Sequence, residues 1–221
     1  MIALPTGTGK TVLFAHVKKH HALLGRVLVV VHRHELVDQA YFAFQKWCKG
    51  VRIGRETGEQ SSCSLDKIVV ASVQSLGKAG TGRLSKFRPH DFGLVICDEA
   101  HHSIASTYQN VFDHFGVSDG SNSALLLGVT ATPVRSDGKG LDGVFDEIVY
   151  QMDIRDAVTS GWLVDIKGVR ARTEAKLDEV RVMPSGDFDL PSLISYRELR
   201  RNKNFTISTQ TNTMGLVPIA Y

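Results

Sequence analysis

Leu4-Pro5-Thr6-Gly7-Thr8-Gly9-Lys10-Thr11, near the start of the chain, is the stretch that decides the fold. Gly7 and Gly9 allow the backbone to turn so that successive N–H groups point at phosphate oxygens. Lys10 supplies a positive charge for the β- and γ-phosphates, and the Thr11 hydroxyl is placed to bind Mg²⁺. The apolar residues that follow predict a helix whose N-terminus adds a positive dipole end. The pattern predicts a triphosphate-binding loop formed by Pro5, Thr6, Gly7, Thr8, Gly9, Lys10 and Thr11.

A second stretch, Leu94-Val95-Ile96-Cys97-Asp98-Glu99-Ala100-His101, completes the predicted site. Its four apolar residues predict a strand buried on both faces, as in a parallel sheet. Asp98 then stands at the carboxyl end of that strand, where open α/β sheets bind ligands, and it can reach Mg²⁺ through water. Glu99 can orient and deprotonate an attacking water. Together with the phosphate loop upstream, this stretch predicts an ATPase site.

The loop departs from the full phosphate-loop pattern at Leu4, where the pattern has glycine. This departure weakens a match to small GTPases and kinases. A P-loop NTPase of another class stays open as an alternative, although Glu99 beside Asp98 and the segment Thr130-Ala131-Thr132 speak against it. A non-catalytic nucleotide- or nucleic-acid-binding remnant is a further alternative.

Asp98-Glu99-Ala100-His101 is the DEAH box that marks superfamily 2 helicases, and the chain resembles their first RecA-like lobe over roughly residues 1 to 195. Residues 31–40 and 70–76 resemble two segments that touch the nucleic-acid backbone in that family. Residues 127–135 resemble the S/T-A-T segment, which couples ATP turnover to strand movement. Asp137-Gly138 and Gly161-Trp162-Leu163-Val164 are similar to the branch that contains type III restriction enzyme subunits and mitochondrial ATP-dependent helicases.

This resemblance implies an ATP hydrolase or ATP-dependent helicase that uses ATP and Mg²⁺ and acts on nucleic acid, with DNA favoured over RNA. It implies a catalytic role for Glu99, Asp98, Lys10 and His101, and Mg²⁺ binding by Thr11 and Asp98. It also implies nucleic-acid contacts by Arg33, Ser72, Gln74 and Ser75, and coupling by Thr130 and Thr132. A structural salt bridge is the alternative for Arg33. His102 is expected to have a surface or supporting role rather than a catalytic one.

Composition narrows the setting without deciding the function. A net charge of +3 permits nucleic-acid binding but does not argue for it. The three cysteines, Cys48, Cys63 and Cys97, are scattered and form no disulfide framework, which fits a reducing compartment. No apolar run is long enough to span a bilayer, so no membrane partner is expected. An intracellular location is expected, the mitochondrion or nucleus in a eukaryote and the cytoplasm in a bacterium. The oligomeric state is unknown at this point.

Strands and helices alternate along the chain, which predicts an α/β fold, a RecA-like parallel sheet with helices on both faces. Strands are predicted at 26–31, 51–55, 67–71, 94–97, 124–129, 148–152 and 163–172, and helices at 10–24, 34–48, 104–115 and 153–161. Residues 1–150 are expected to form the ATP-binding lobe, truncated at its N-terminus, with only a stub of the strand that feeds the loop.

Residues 151–195 are expected to end the lobe and lead toward a missing second lobe, and residues 196–221 to form a loose tail. In the family the second lobe supplies arginines that complete the ATP site. The chain by itself is therefore expected to be a weak or inactive ATPase.

Overall fold

A computed structural model describes residues 1–20, 25–132, 141 and 143–165, and the backbone of residues 171–172 and 208–209; the side chains of residues 18–20 are not part of this description. The chain divides into two compact units, Met1–Val164 and Asp165–Tyr221. The predicted division at residues 150 and 195 stays a prediction.

The first unit is built on a seven-stranded sheet in which every neighbouring pair of strands is parallel. Its strands are β1 (Ile2–Ala3), β2 (Arg26–Val31), β3 (Ile53–Glu56), β4 (Ile68–Ser72), β5 (Phe92–Asp98), β6 (Leu125–Thr130) and β7 (Tyr150–Gln151). They lie in the order β3-β4-β2-β5-β6-β1-β7. The short strand β1, which feeds the phosphate loop, lies between β6 and β7.

Helices connect the strands and cover both faces of the sheet. They are α1 (Lys10–His20), α2 (His34–Trp47), α3 (Val73–Leu76), α4 (Ser106–Phe115) and α5 (Ile154–Thr159), with short 3₁₀ helices at Leu84–Lys86, Pro89–Asp91 and Ala100–His102. In the described part of the second unit, β8 (Ala171–Arg172) pairs antiparallel with β9 (Ser208–Thr209).

The alternation of side chains along the central strands produces two hydrophobic cores, one on each face. Along β2, Leu28 and Val30 belong to the core under α4, whereas Val29 belongs to the core under α1 and α2. All six residues of β2 are buried, as expected of a parallel strand with a helix layer on each side. The predicted fold class is confirmed.

Most predicted elements are present, and their described ends agree with the prediction or differ from it by one or two residues. The predicted strand at 163–172 is wrong at its start, because residues 163–165 form no strand. The N–H groups of Trp162 and Leu163 donate instead to the carbonyl of Ala157. These two hydrogen bonds fold the chain back onto the end of α5. Residues 21–24 of the predicted first helix and 166–170 of the predicted strand lie outside the described residues. The predicted loose tail also lies outside them, except for β9.

Helix α4 begins at Ser106 rather than at residue 104, because the chain after the DEAH box first forms the 3₁₀ helix Ala100–His102. None of the helices in the described part of the chain combines the length and the hydrophobicity that a bilayer-spanning helix needs.

Candidate nucleotide and nucleic-acid site

The sheet topology brings the two quoted stretches to one edge. Strands β5, β6 and β1 are consecutive parallel neighbours, with Asp98 opposite Val129 and Ala3 opposite Thr130. The residues that follow these strands therefore meet at the carboxyl edge of the sheet, where α/β proteins bind ligands. The Leu4 N–H, at the start of the loop, donates to the Thr130 carbonyl at 2.9 Å.

The loop has a backbone that depends on its glycines. Gly7 and Gly9 have φ values of 91° and 85°, in the left-handed region that glycine adopts at little cost. The Thr8 hydroxyl donates to the Pro5 carbonyl at 2.7 Å and closes the turn. Helix α1 then begins at Lys10, so that its first N–H groups face the loop.

Lys10 and Glu99 meet across this edge. The Lys10 Nζ lies 3.7 Å from the Glu99 Oε1, and only 11% of the lysine side chain is exposed. The Nζ atom is buried and makes no hydrogen bond among the described residues. A buried ammonium without hydrogen bonds is costly, which makes this position suited to an anionic ligand.

Glu99 has a strained backbone. Its φ of 51° makes it the only non-glycine residue with a positive φ within the described part of the chain. Its N–H donates to the Asp98 Oδ1 at 3.0 Å. Residues held in this way cost about 1–3 kcal/mol and cluster at functional sites.

The two adjacent carboxyl groups have pKa values displaced in opposite directions. Burial, followed by the charge of Glu99, raises the pKa of Asp98, against the opposing effect of Lys10. A hydrogen bond from His101 lowers the pKa of Glu99, with a further contribution from Lys10, although burial opposes both. Glu99 is therefore ionised at neutral pH, as a proton acceptor must be.

His101 connects the DEAH box to β6. Its Nδ1 lies 3.3 Å from the Glu99 Oε2 and 3.1 Å from the Thr130 hydroxyl. The fully buried Thr130 hydroxyl also accepts from the Thr132 N–H at 3.1 Å. The two residues predicted to couple ATP turnover to movement are thus linked to each other and to the DEAH histidine.

The predicted nucleic-acid residues lie at the ends of β2 and β4. Arg33 is exposed before α2 and forms no salt bridge within the region described, so the structural alternative for it receives no support. Gln74 is exposed and Ser75 half-buried in α3. Ser72 is only 2% exposed, and its hydroxyl accepts from the Ser75 N–H at 3.2 Å. The structure thus places Ser72 as a helix cap, and its predicted contact with nucleic acid stays a prediction.

Three further residues lie beside the site without having been singled out as site residues. His32 stacks on His102, which follows the DEAH box. Burial lowers the pKa of His32, as do the neighbouring charges of Arg33 and His101.

The other two are Tyr108 and Leu163. Tyr108 is 1% exposed, and burial together with the nearby acidic groups raises its pKa. Leu163 approaches the loop so closely that a Cβ at Gly7 would lie 3.1 Å from it. No local pattern in the sequence indicates these contacts, since each joins residues far apart in the chain.

Comparisons with known proteins found a matching family and several similar proteins. The family described as "Type III restriction enzyme, res subunit" matches residues 1–135. A protein of Schizosaccharomyces pombe named as a mitochondrial ATP-dependent helicase, irc3, is 36% identical over 180 residues, which is 80% of this chain and 29% of that protein. The ATP-dependent helicase IRC3 of Saccharomyces cerevisiae is 32% identical over 218 residues, 94% of this chain and 31% of that protein.

A solved structure supports the fold alone. The helicase domain of Pyrococcus furiosus Hef matches with a TM-score of 0.57 at 23% identity, covering 68% of this chain and 34% of that one. The chain spans about a third or less of the length of the two yeast relatives that it matches.

Proposed function

Since the chain belongs to the family of the type III restriction enzyme res subunit, we propose that it forms the ATP-binding motor lobe of a nucleic-acid-dependent ATPase or helicase. The meeting of a buried lysine from the phosphate loop with Glu99 of the DEAH box, at 3.7 Å, is the observation that carries this proposal. Membership of this family also speaks against the alternative of a P-loop NTPase of another class.

The phosphate loop has the groups that a triphosphate requires. The loop backbone and the N-terminus of α1 offer N–H donors, and Lys10 offers a buried positive charge. Among the described residues, Lys10 forms a salt bridge with Glu99, and its charge also acts on the nearby Asp98 carboxyl group. An incoming γ-phosphate would give the Lys10 ammonium the hydrogen bonds that it lacks, which favours binding.

The donor set also fits Mg²⁺, which commonly binds through one or two carboxylates together with substrate phosphates and water. The Thr11 hydroxyl and the Asp98 carboxylate are the residues that would hold it. The bound ion would neutralise charge on the β- and γ-phosphates. The raised pKa of Asp98 reflects a buried carboxyl group that a nearby cation would stabilise in its ionised form.

Glu99 is the proposed general base. Its lowered pKa keeps it ionised, so that it can accept the proton of the attacking water. His101 holds the Glu99 carboxylate on one side and reaches the Thr130 hydroxyl on the other. A movement of Glu99 during turnover would therefore also change the contact between His101 and Thr130 in β6. This contact supports the proposed coupling role of Thr130 and Thr132.

DNA is the proposed nucleic acid, with Arg33, Gln74 and Ser75 as backbone contacts. The name of the matched family, a restriction enzyme subunit, favours DNA over RNA. The name of the fission-yeast relative supports a mitochondrial location if this chain is eukaryotic.

Oligonucleotide binding tests the nucleic-acid half of the proposal. The Arg33→Ala variant is expected to weaken binding of fluorescent single-stranded DNA and to reduce the slope of log K against log[salt] by about 0.7, because one phosphate contact is lost. Fluorescence anisotropy at several salt concentrations measures both. Arg88→Ala removes an exposed arginine before β5, at the opposite edge of the sheet, and should leave both unchanged. Equal losses in the two variants would contradict the assignment of Arg33.

A further inference from the structure

Three histidines, one of them in the DEAH box, lie close together near the start of α2. His32 follows β2, whereas His101 and His102 follow β5. Strands β2 and β5 are parallel neighbours, with Val30 opposite Cys97. The residues after the two strands therefore meet at the same edge of the sheet, although they are about seventy positions apart in the sequence.

Ring packing holds His32 in place. Its ring lies 4.1 Å from the ring of His102, with an angle of 19° between the planes. The buried ring of Tyr108 lies further away, at 6.4 Å, and nearly parallel. The His32 Nδ1 is buried and makes no hydrogen bond within the part of the chain that the structure describes. The position of His32 therefore depends on the position of His102.

His102 in turn depends on Glu99. The His102 N–H donates to the Glu99 carbonyl at 2.9 Å within the tight turn that follows the DEAH box. The His101 ring lies 4.0 Å from the His102 ring and contacts the Glu99 carboxylate. Glu99 therefore contacts His102 through the main chain and, by way of the His101 ring, through side chains.

The other end of this contact chain is exposed to solvent. His32 is covalently joined to Arg33, which is exposed and precedes the first turn of α2. The Arg33 carbonyl accepts from the Leu36 N–H at 3.1 Å, so Arg33 moves with the start of that helix. A displacement of the His32 main chain would therefore move the Arg33 main chain, from which the guanidinium projects.

We propose that the stacked pair His32–His102 is a positioning contact that transmits occupancy of the nucleotide site to Arg33, a role that rests on the proposed function. Nucleotide that engages Lys10 would release Glu99 from its ion pair. The left-handed backbone of Glu99 is the element able to change, because an ordinary conformation is lower in energy for a non-glycine residue. The stack carries this change across from β5 to β2.

Coupling between the two ligands tests the stack. The affinity of the full chain for fluorescent single-stranded DNA is measured with and without a non-hydrolysable Mg-ATP analogue, and the ratio of the two affinities is the coupling factor. In the unmodified chain we expect a factor of about 5 or more. In His32→Ala and in His102→Ala the coupling factor should fall close to 1. Neither variant should change the affinity for DNA alone, or for the analogue alone, by as large a factor. The double variant should show no further loss of coupling.

Two matched variants separate stacking from other effects. His32→Phe keeps a flat ring and should retain most of the coupling. His90→Ala removes an exposed histidine before β5, at the opposite edge of the sheet, and should retain all of it. Wild-type coupling in His32→Ala, or the same loss in His32→Phe as in His32→Ala, would overturn the proposal.

A second readout needs no variant. Hydrogen exchange of the amides of residues 33–36 should slow or quicken when the analogue is added to the unmodified chain. If the analogue protects the phosphate loop but leaves these amides and the DNA affinity unchanged, the stack transmits nothing and the proposal is overturned, while the proposed nucleotide site stands. If the analogue fails to bind at all, the proposed function itself fails.

Discussion

Glu99 combines three properties in one residue. It pairs with Lys10, accepts a hydrogen bond from His101 and holds a left-handed backbone. The sequence predicted its position after a buried strand and its chemical role. It did not predict the left-handed backbone, because glutamate has no local preference for that region and the surrounding structure must impose it.

Glu99→Gln separates binding from chemistry. The amide keeps the shape of the side chain but cannot accept the proton of water, so the weak hydrolysis expected of the unmodified chain should fall further, by about 10²–10⁴-fold. The Kd of a non-hydrolysable Mg-ATP analogue should stay within about threefold, since the loop and Lys10 are intact. Single-turnover hydrolysis of labelled ATP, in the presence of single-stranded DNA, measures the first. Glu147→Gln, at an exposed glutamate before β7, is the control and should hydrolyse ATP as the unmodified chain does.

Helix α3 is a four-residue element that depends on one close contact. A Cβ at Gly77, which ends the helix, would lie 1.9 Å from the Thr107 carbonyl oxygen of α4. The Asn110 side chain donates to the Gly77 carbonyl at 2.9 Å and fixes the same contact. Because Gly77 has no side chain, α3 can lie directly against α4. This packing in turn places Gln74, which α3 carries. The sequence around Gly77 contained no sign of the approach of α4, which comes from a distant part of the chain.

Gly77→Ala should force α3 away from α4. The expected loss is about 1–3 kcal/mol in the free energy of unfolding, the usual cost of overpacking. Affinity for single-stranded DNA should fall as well, because α3 carries Gln74. Urea unfolding and fluorescence anisotropy measure the two effects. Gly58→Ala is the control, since a Cβ there meets nothing within 4 Å; equal stability of the two variants would contradict the account of this contact.

Strand β3 ends in a buried charge. The Glu56 side chain is 0% exposed and pairs with Arg83 at 2.8 Å and with Lys86. The Ser62 N–H donates to the same carboxylate at 3.0 Å. Burial alone would raise the pKa of Glu56, but the hydrogen bonds from Lys86, Ser62 and Arg83 outweigh it and lower the pKa. This cluster connects the end of β3 to residues 83–86, between α3 and β5.

Acid should weaken this cluster. A carboxyl group whose pKa is lower in the folded state stabilises the fold above its unfolded pKa, here about 4.5, and loses that contribution as pH falls through the lower folded value. Glu56→Gln should therefore cost about 3 kcal/mol at pH 7, the scale of a broken buried ion pair. The difference from the unmodified chain should shrink below pH 4.5.

Urea unfolding at several pH values between neutrality and the acid limit of the fold measures this difference. Glu59→Gln, at an exposed glutamate just beyond β3, is the control and should match the unmodified chain throughout. A Glu56→Gln difference that is constant with pH would show that the lost stability comes from packing rather than from charge.

At the scale of the whole molecule, the sequence was sufficient for the fold class and for the edge of the sheet at which the candidate site residues meet. Runs of buried aliphatic residues predicted parallel strands, and motif residues directly after them predicted a shared carboxyl edge. The order of the strands was not predicted, because a strand of two residues such as β1 is selected by its neighbours β6 and β7 rather than by its own pattern. The stack of His32 on His102 was missed for the same reason: it exists only once β2 and β5 are side by side.

Titration calorimetry of a non-hydrolysable Mg-ATP analogue into the full chain tests the central claim most directly, that the loop and the DEAH box form one nucleotide site. We expect a single saturable site whose Kd rises at least about tenfold in Lys10→Ala, a loss of about 1.4 kcal/mol or more, because the buried ammonium would bind the phosphates. Lys49→Ala, at an exposed lysine after α2, should change the Kd less than about twofold. Equal Kd values for the unmodified chain and Lys10→Ala would contradict the claim.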